Sequence, residues 1–371
     1  MRVVIDATPL LLRSAGVKTH VYHWIRHLRR LGGDASISTF PFLGPVAEFP
    51  HERSVLSGPQ TVARLAFLQA VNYSRLPVLD WLGPRADIFH ASHQLWNPPR
   101  AARVTATIYD MTCWVVPEMQ LPQNVSGARR FAEHVLRRAD GFIANSESAR
   151  RDAVRILGLP EERIDVIYPG ISEAFFDVSP ASVRRATEKH GLSRPYVLFV
   201  GTIEPRKNVD TLLDAYGQLP PSLRENFDLV FAGPVGWARS GTVKRLRSGL
   251  PGVRYLGYVP EADLPGLTAG ATVFLYPSLY EGFGLPVAQA MAAGVPVITS
   301  ITSSLPEVTG EAGVLIDPRS PADIRSALER LLLDPVWRAG LAAKGAVRAR
   351  RFTWESYARQ SLAFFRKTAG Q

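Results

Sequence analysis

The sequence predicts an α/β protein with two tandem domains, each a doubly wound parallel sheet. Short apolar runs rich in Val and Ile alternate with longer stretches of helical periodicity. The runs are nearly continuous rather than alternately apolar and polar, which is typical of strands buried on both faces of a parallel sheet. A length of 371 residues with 46% hydrophobic content is enough for two domains with substantial cores.

Twelve apolar runs are predicted to be strands, six in each half of the chain. In the first half they are Val3–Asp6, Ser36–Phe40, Asp87–His90, Val104–Ile108, Phe142–Asn145 and Asp165–Ile167. In the second half they are Tyr196–Val200, Asp228–Ala232, Val253–Leu256, Val273–Tyr276, Val295–Thr299 and Gly313–Ile316. Helices are expected where apolar residues recur at 3.6-residue spacing, as in Thr19–Leu31, Arg129–Arg138 and Ser320–Leu333. This alternation predicts doubly wound units.

A domain boundary is predicted near residues 180–195, where turn-forming residues precede a new strand. The first domain is therefore assigned to residues 1–185 and the second to residues 190–350. Ligands of such folds usually bind in the crevice at the carboxyl ends of the strands. We therefore expect the functional residues on loops that follow strands, facing a cleft between the domains.

Composition narrows the classes of function. The net charge is +10, from 43 Lys and Arg against 33 Asp and Glu, without the basic tract that marks a nucleic-acid tail. This excess suits anionic ligands or an anionic membrane surface, and ordinary solvated charge is an equal alternative. The single cysteine, Cys113, fits a reducing cytoplasm, and no apolar run is long enough to predict a membrane span. The predicted location is the cytoplasm, including the inner face of the membrane.

Two adjacent cations follow the predicted strand Tyr196–Val200. In Gly201-Thr-Ile-Glu-Pro-Arg-Lys-Asn208, Arg206 and Lys207 lie on the loop that leads into a helix. A planar guanidinium beside a compact ammonium suits a diphosphate, and the helix N-terminus adds its positive end. An exposed basic loop without a ligand is the alternative.

The segment Glu281-Gly-Phe-Gly-Leu-Pro286 follows the predicted strand Val273–Tyr276. Gly282 and Gly284 allow backbone amides to approach a ligand closely, and the proline suits a helix start. Glu281 is therefore placed to accept sugar hydroxyls or to face a developing positive charge. The alternative is structural, because acidic residues favour helix N-termini in any protein.

Weaker candidates lie in the first half. Gly16, in the loop after the first strand, is a candidate to present its amide to a phosphate, with a tight turn as the equal alternative. His90 and His93 lie just past a strand end. His23 and His27 have the i, i+4 spacing of a metal pair, but no HExxH motif or cysteine cluster supports a metal, so packing is favoured.

Together these segments resemble the family 4 retaining glycosyltransferases with the GT-B fold, which include bacterial mannosyl-, glucosyl- and rhamnosyltransferases of polysaccharide assembly. The resemblance covers nearly the whole chain, because further segments look like family landmarks in the same order: Ile143-Ala-Asn-Ser-Glu-Ser148, Val166-Ile-Tyr-Pro-Gly170, Leu256-Gly-Tyr-Val259 and Ser303-Ser-Leu-Pro-Glu307. It implies two Rossmann-like domains facing across a cleft. It also implies transfer of a hexose from a GDP-, UDP- or dTDP-sugar to a glycan or lipid-linked acceptor, with no metal or other cofactor.

The resemblance also implies roles for individual residues. The catalytic candidates are Glu281, Arg206 and Lys207, of which the two cations hold the donor diphosphate. The donor-binding candidates are Gly16, Tyr109, Asp110, Gly201, Tyr258, Val259, Gly282, Phe283, Gly284, Leu285 and Gln289. Acceptor contacts are expected from the first domain, in Gly44–Trp81 and His93–Pro122, with His90, His93 and Trp96 as candidates. Residues 353–371 look like a crossover helix that packs back on the first domain.

The sequence departs from the family pattern at two sites. Gln289 occupies the position of a second glutamate that contacts the nucleotide ribose in the family, so the charge assistance of that contact is lost. Tyr109-Asp110 occupies the position of a frequent His-Asp pair near the donor sugar. The alternative function is therefore a nucleotide-sugar-binding subunit that has lost catalysis. A nucleotide-sugar epimerase or a glycosyl phosphorylase is a third interpretation.

Overall fold

A computed structural model describes residues 1–12, 16–41, 54–74, 76–83 and 85–370. The chain folds into two compact units. One comprises residues 1–114, 122–170 and 353–371, and the other comprises residues 115–121 and 171–352. Within the described residues, no helix combines the length and the apolar character that crossing a lipid bilayer requires.

The strands form two parallel six-stranded sheets. The first sheet contains β1 (Arg2–Asp6), β2 (Ser36–Phe40), β3 (Ile88–Ala91), β4 (Arg103–Ile108), β5 (Gly141–Ala144) and β6 (Ile164–Val166). The second contains β7 (Tyr196–Val200), β8 (Asp228–Ala232), β9 (Val253–Gly257), β10 (Val273–Tyr276), β11 (Val297–Ser300) and β12 (Gly313–Ile316). The spatial order is β2-β1-β3-β4-β5-β6 in one and β12-β11-β10-β7-β8-β9 in the other.

Helices connect the strands. The described α-helices are α1 (Gly16–Leu31), α2 (Gly58–Tyr73), α3 (Val78–Leu82), α4 (Thr112–Val115), α5 (Pro122–His134), α6 (Glu147–Leu157), α7 (Pro180–Lys189), α8 (Val209–Gly217), α9 (Pro221–Asn226), α10 (Ser240–Arg247), α11 (Leu264–Ala269), α12 (Leu285–Ala292), α13 (Leu305–Thr309), α14 (Pro321–Leu333), α15 (Pro335–Ala349) and α16 (Trp354–Ala369).

All twelve predicted strands are confirmed within a residue or two at each end, as is the α/β class with parallel sheets. Central strands such as β7 and β10 are buried almost throughout, which explains their continuous apolar sequence. The helix predicted at Arg129–Arg138 differs, because α5 begins at Pro122 and a separate 3₁₀ turn, Leu136–Arg138, follows it. Proline at the first helical position fits the earlier start.

Helix α16 belongs to the first unit although it follows the second unit in sequence. Its buried face carries Tyr357 and Phe365, which lie in one apolar cluster with Trp24 of α1. Trp24 Nε1 donates a hydrogen bond of 3.1 Å to Ser361 Oγ, so the buried indole is satisfied. The C-terminal segment is therefore part of the core of the first unit.

The division between the units lies earlier in the chain than the predicted boundary near residues 180–195, because residues 171–189 belong to the second unit. The reason is packing of α7 on α11. A side-chain carbon at Gly266 would lie 2.5 Å from the Ser182 carbonyl oxygen, so glycine allows the two helices to approach closely. The turn-rich sequence marks the start of α7 rather than the domain boundary.

Gly170 provides a test of the packing of α16. A side-chain carbon there would lie 2.3 Å from the Trp354 backbone nitrogen. We expect Gly170→Ala to destabilise the first unit by about 2 kcal/mol or more, because backbone must shift to accommodate the methyl group. Gly127→Ala in α5 is the matched control, since no atom lies within 4 Å of the added carbon. Thermal unfolding followed by circular dichroism measures both, and equal melting temperatures would contradict the argument.

Candidate active site

The backbone before Arg206 is held by a close approach of two loops at the carboxyl edge of the second sheet. Gly233 adopts φ = 145°, and a side-chain carbon there would lie 2.1 Å from the Gly201 carbonyl oxygen. Ile203 N donates to the Pro234 carbonyl at 2.9 Å. Because glycine is required at this contact, the path of the chain from β7 to Arg206 is strongly constrained.

Asn208 ends the turn that carries the two cations. It has a left-handed conformation with φ = 61°, which asparagine tolerates better than most residues. Its side-chain nitrogen donates to the carbonyls of Pro277 and Pro318, and Thr211 Oγ1 donates to its oxygen at 2.6 Å. These bonds tie the turn to the neighbouring loops and direct the preceding Lys207 into the interior.

Four donors converge on a single oxygen of Glu281. Oε1 lies 2.7 Å from Arg206 Nη1 and accepts from Lys207 Nζ and Ser278 Oγ, both at 2.6 Å. Tyr276 OH donates to the same oxygen at 3.1 Å. No described residue hydrogen-bonds to Oε2. The carboxylate is thus fixed through one oxygen by the described residues.

Arg206 links this cluster to a second carboxylate. Its Nη2 lies 2.7 Å from Glu204 Oε1, and its Nη1 also donates to the Tyr280 carbonyl at 2.6 Å. Lys207 Nζ lies 5.0 Å from the centre of the Tyr276 ring. Two cations therefore balance two buried carboxylates before any ligand binds, which offsets the cost of burying each charge.

The buried side chains of this cluster shift one another's pKa values. Burial alone would raise the pKa of Glu281, but Arg206 and Lys207 outweigh it and hold the pKa at about 2. Burial and the neighbouring Arg206 lower the pKa of Lys207, and Glu281 opposes that shift. Burial raises the pKa of Tyr276. At neutral pH Glu281 is therefore an anion, which accepts hydrogen bonds and has no proton to donate.

Hydroxyl groups hold the loop around Glu281. Ser300 Oγ donates to the Ser278 carbonyl at 2.6 Å. Ser304 Oγ lies 3.0 and 2.9 Å from the carbonyl oxygens of Glu281 and Phe283, which share its single hydroxyl proton. These bonds satisfy buried carbonyls that no strand or helix pairs. The loop is therefore fixed by side chains from the last residue of β11 and from the segment that follows it.

The start of α12 is the second part of the site. Gly284 has φ = 101°, a conformation that favours glycine, and a side-chain carbon there would lie 2.7 Å from Leu305 Cδ2. Leu285 begins the helix, and its amide therefore has no acceptor within the helix. Gln289 is half-buried one turn later, and no described residue hydrogen-bonds to its side-chain amide.

The other donor-side candidates of the second unit lie after β9. Gly257 adopts φ = 69° at the end of the strand, which turns the chain sharply. Tyr258 is 41% exposed, whereas Val259 is buried. Of Gly257, Tyr258 and Val259, only Tyr258 presents a side chain to solvent.

Three of the predicted residues, Tyr109, Asp110 and His93, lie in the first unit. The ring of Tyr109 lies edge-on to His20, with centroids 5.1 Å apart, and burial raises its pKa. Asp110 Oδ1 accepts a hydrogen bond of 2.9 Å from the Thr112 amide. Burial lowers the pKa of His93, and the Asp110 carboxylate opposes this shift, so those two side chains influence each other.

The position of His90 does not support the predicted acceptor-side role. The ring is 3% exposed, with Nδ1 2.9 Å from Thr105 Oγ1 and Nε2 2.9 Å from Thr107 Oγ1. Burial lowers its pKa to about 3, so it is neutral at physiological pH. With both nitrogens bonded and Trp24 packed on the ring at 4.8 Å, His90 is a core residue. Its position on a parallel strand, buried on both faces, explains this.

Trp96 is half-buried, with the guanidinium of Arg130 4.4 Å above its ring and the Tyr73 ring 6.0 Å away. Its buried Nε1 has no hydrogen-bond partner among the described residues. Gly16 begins α1 with open space at its Cα. The remainder of the Gly16 loop, residues 13–15, and residues 44–53 and 75 of the predicted acceptor region lie outside the described residues.

The hypothetical histidine metal pair is not supported. His27 Nδ1 lies 2.7 Å from the His23 carbonyl oxygen, and the His23 ring stacks on Trp354 with centroids 5.4 Å apart. In the part of the chain that the structure describes, no three His, Cys, Asp or Glu side chains are grouped to hold a metal ion. Packing accounts for both histidines.

Sequence reasoning missed three side chains of the Glu281 cluster, namely Tyr276, Ser278 and Glu204. Each lay close to a residue that was recognised: Ser278 three positions before Glu281, and Glu204 two before Arg206. Tyr276 is the last residue of β10, where a parallel strand presents its end to the site. A polar residue at a strand end beside a functional loop is the signal that would have identified them.

The chain matches two families in succession. Residues 14–175 match "Glycosyltransferase Family 4" and residues 183–350 match "Glycosyl transferases group 1". The O-antigen chain mannosyltransferase B of Escherichia coli is 35% identical over 278 residues, which cover 74% of this chain and 73% of that protein. The chain belongs to the family 4 glycosyltransferases. As a member of this family, it transfers sugar from a nucleotide-sugar donor.

Other similar proteins agree. The serotype-specific mannosyltransferase WbdA of Escherichia coli is 30% identical over 234 residues, or 62% of this chain but only 29% of WbdA. The fold matches sucrose-phosphate synthase from Thermosynechococcus elongatus, with a TM-score of 0.74, 21% identity and coverage of 99% and 98% of the two chains. The fold also matches Anabaena Alr3699/HepE in complex with UDP and glucose, with a TM-score of 0.69 and 19% identity. The match covers 97% of this chain and 98% of that chain. The family 4 glycosyltransferase has the GT-B fold, as predicted.

The electrostatics of Glu281 predict a dependence of stability on pH. The pKa of Glu281 in the folded state is about 2, below the ordinary value of 4.5. Its contribution to the free energy of unfolding is therefore complete above pH 4.5 and declines as the pH falls towards 2. We expect Glu281→Gln to lower stability near neutral pH, by an amount of the order of 3 kcal/mol, and to matter progressively less in acid.

Melting temperatures of the two proteins, measured from neutral pH down to about pH 3, check this expectation. Glu225→Gln removes an exposed carboxylate of the same unit and serves as the control. A difference between wild type and Glu281→Gln that stays constant with pH would show that the carboxylate is not held as an anion by its neighbours.

Proposed function

We propose that this glycosyltransferase is a retaining mannosyltransferase that acts without a metal ion on a glycan or lipid-linked glycan acceptor. The observation that carries the proposal is the arrangement around Glu281. One oxygen of the carboxylate is held by four donors, including Arg206 and Lys207, and no described residue bonds to the other oxygen. A preorganised anion beside two cations suits a sugar linked to a diphosphate.

Mannose is proposed as the sugar because the relatives that match the chain include O-antigen chain mannosyltransferase B and WbdA, named as mannosyltransferases. The nucleotide is left open between GDP, UDP and dTDP. The GT-B neighbour Alr3699/HepE is in complex with UDP and glucose. At the expected ribose contact, the uncharged amide of Gln289 replaces a carboxylate. A contact without charge helps less in selecting one nucleotide over another.

In the proposed reaction Arg206 and Lys207 stabilise the diphosphate that leaves. Arg206 offers a planar fork, and Lys207 offers a compact charge with three donors. The amide of Leu285 at the start of α12 adds a donor to the same region of the unit. Cationic side chains thereby perform the charge neutralisation that a divalent metal performs in other transferases.

Glu281 acts as an acceptor of hydrogen bonds from sugar hydroxyls through Oε2. With a pKa of about 2 it stays ionised at neutral pH, so its charge also opposes the positive charge that develops at the anomeric carbon. The acceptor hydroxyl attacks from the face that the diphosphate leaves, and a phosphate oxygen takes its proton. The anomeric configuration is therefore retained.

The acceptor and the place of action are the least constrained parts of the proposal. Trp96 and His93 are the acceptor-side candidates that remain after His90 is excluded, and an aromatic face suits stacking against a sugar. We propose that the enzyme works in the cytoplasm, at the inner face of the membrane that carries lipid-linked glycans.

The proposal is tested with a panel of GDP-, UDP- and dTDP-hexoses in the presence of EDTA. We expect hydrolysis or transfer with a mannosyl donor that EDTA does not inhibit. Glu281→Gln should lower kcat/KM by at least about a hundredfold, the scale expected for loss of a preorganised charge. Glu225→Gln should retain the activity of wild type.

Product analysis then completes the test. Mass spectrometry identifies the sugar that is transferred, and NMR coupling at the anomeric carbon reports whether the configuration is retained. Inhibition by EDTA that added metal reverses would contradict the metal-independent mechanism. Donor binding without turnover, with a genuine acceptor present, would instead identify a binding subunit that has lost catalysis.

A further inference from the structure

The solvent-facing side of α2 is mostly apolar, with Gln69 as its polar residue. Val62, Ala66, Ala70 and Tyr73 recur at spacings of four, four and three residues, which places them on one face of the helix, and all are exposed. Arg64 is the only charged residue in the helix. It lies on the opposite side, where its Nε donates to the Pro41 carbonyl at 3.1 Å. A helix on a protein surface normally turns its charged residues towards water.

More apolar side chains are exposed among residues 76–82, which follow α2. Leu76, Trp81 and Leu82 are exposed, with Trp81 64% and Tyr73 70% accessible. Of the thirteen large hydrophobic side chains exposed among the described residues, five lie between residues 62 and 82. Such a concentration marks an interaction surface, whereas scattered exposed hydrophobic residues do not.

Hydrogen bonds from residues 97–101 hold the end of α2 and the helix α3 in place. Asn97 Nδ2 donates to the carbonyls of Val71 and Ser74, at 3.2 and 3.1 Å. Asp80 Oδ1 accepts from the backbone amides of Arg100 and Ala101, at 2.9 and 2.8 Å. The apolar side chains are therefore presented from a fixed backbone, and the one carboxylate among them is turned towards the protein.

The charges beside the apolar surface are positive. Arg85 follows α3 by three residues, and Arg100 is brought beside α3 by the bonds of its backbone to Asp80. Both side chains are exposed, and neither guanidinium forms an ion pair with a carboxylate among the described residues. The whole first unit carries 23 Lys and Arg against 15 Asp and Glu, a net charge of +8, while the second unit carries 20 against 18, or +2.

We propose that Val62, Ala66, Ala70, Tyr73, Leu76, Trp81 and Leu82, hereafter the α2–α3 surface, dock the enzyme on a membrane that contains anionic phospholipid. Trp and Tyr prefer the interface between headgroups and acyl chains, where one end of the side chain is apolar and the other is hydrated. Arg85 and Arg100 are placed to contact the phosphates of the lipids. The inference gives the proposed lipid-linked acceptor a physical location relative to the first unit.

Charge favours a bilayer over a second copy of this chain. Two copies meeting through this surface would bring like charges together around an apolar centre, whereas an anionic membrane complements them. Two or three apolar side chains together with a few cations are also the usual combination for reversible peripheral binding.

The test is flotation of the whole chain with vesicles, without donor or acceptor, so that its result is independent of catalysis. The vesicles are either pure phosphatidylcholine or an equimolar mixture with phosphatidylglycerol. We expect wild type to float with the mixture and to be released by high salt only in part, because the apolar contacts are not screened. Binding to pure phosphatidylcholine should be much weaker.

Matched variants locate the surface. Combined Trp81→Ser and Leu82→Ser should lower the affinity for vesicles roughly tenfold or more. Combined Arg85→Glu and Arg100→Glu should lower the affinity roughly fivefold per site, and only for the anionic vesicles. Combined Leu333→Ser and Val336→Ser removes equally exposed apolar residues from the second unit and should leave affinity unchanged. Tyr73→Ser provides an independent single change, and melting temperatures identify variants that fail to fold.

Three outcomes would overturn the proposal. The first is absence of wild type from the floated fraction of anionic vesicles. The second is equal flotation of wild type and the folded α2–α3 variants. The third is dimerisation of wild type without lipid that Trp81→Ser abolishes, which would assign the surface to a second copy. Loss of vesicle binding with intact transfer to a soluble acceptor would leave the proposed reaction standing, so the two proposals fail separately.

Discussion

A buried carboxylate needs positive charge close by, and this requirement organises the second unit. Glu281 lies in the interior with Arg206 and Lys207 against one of its oxygens. Each cation comes from the loop after β7, and the carboxylate from the loop after β10, so adjacent parallel strands must end side by side. The glycine contact between the β7 and β8 loops, and the left-handed Asn208, serve to deliver the cations there.

The sequence was sufficient for the elements and for placing Glu281, Arg206 and Lys207 on loops that follow strands. Strands buried on both faces leave an unmistakable pattern, and β7 and β10 were therefore predicted closely. Those three residues were singled out because unusual residues followed the strands, and their roles in catalysis stay predictions. Tyr276 and Ser278 were not, because a single hydroxyl at a strand end has many structural uses and its partner is known only once the loops are folded.

In the first unit, the sequence indicated a site residue, His90, where the structure has a core residue. His90 follows a pattern that suits a site, at the end of a strand and two residues from another polar side chain. The strand continues one residue further, to Ala91, and the ring turns inward between Thr105 and Thr107. Periodicity cannot distinguish the last buried residue of a strand from the first exposed residue of a loop. The early boundary after Gly170 escaped detection for a related reason, since helix-on-helix packing leaves no local signal.

The hydroxyls of Ser300 and Ser304 have a consequence for the thermodynamics of donor binding. They already occupy the carbonyls of Ser278, Glu281 and Phe283, so the loop has little conformational freedom to lose when a sugar nucleotide arrives. The affinity for the donor then depends on the contacts that the donor makes and little on ordering of the loop. Calorimetry of donor binding would therefore record a small entropic penalty from the second unit. Adaptation to a new donor would consequently proceed by exchanging contact residues on a scaffold that stays still.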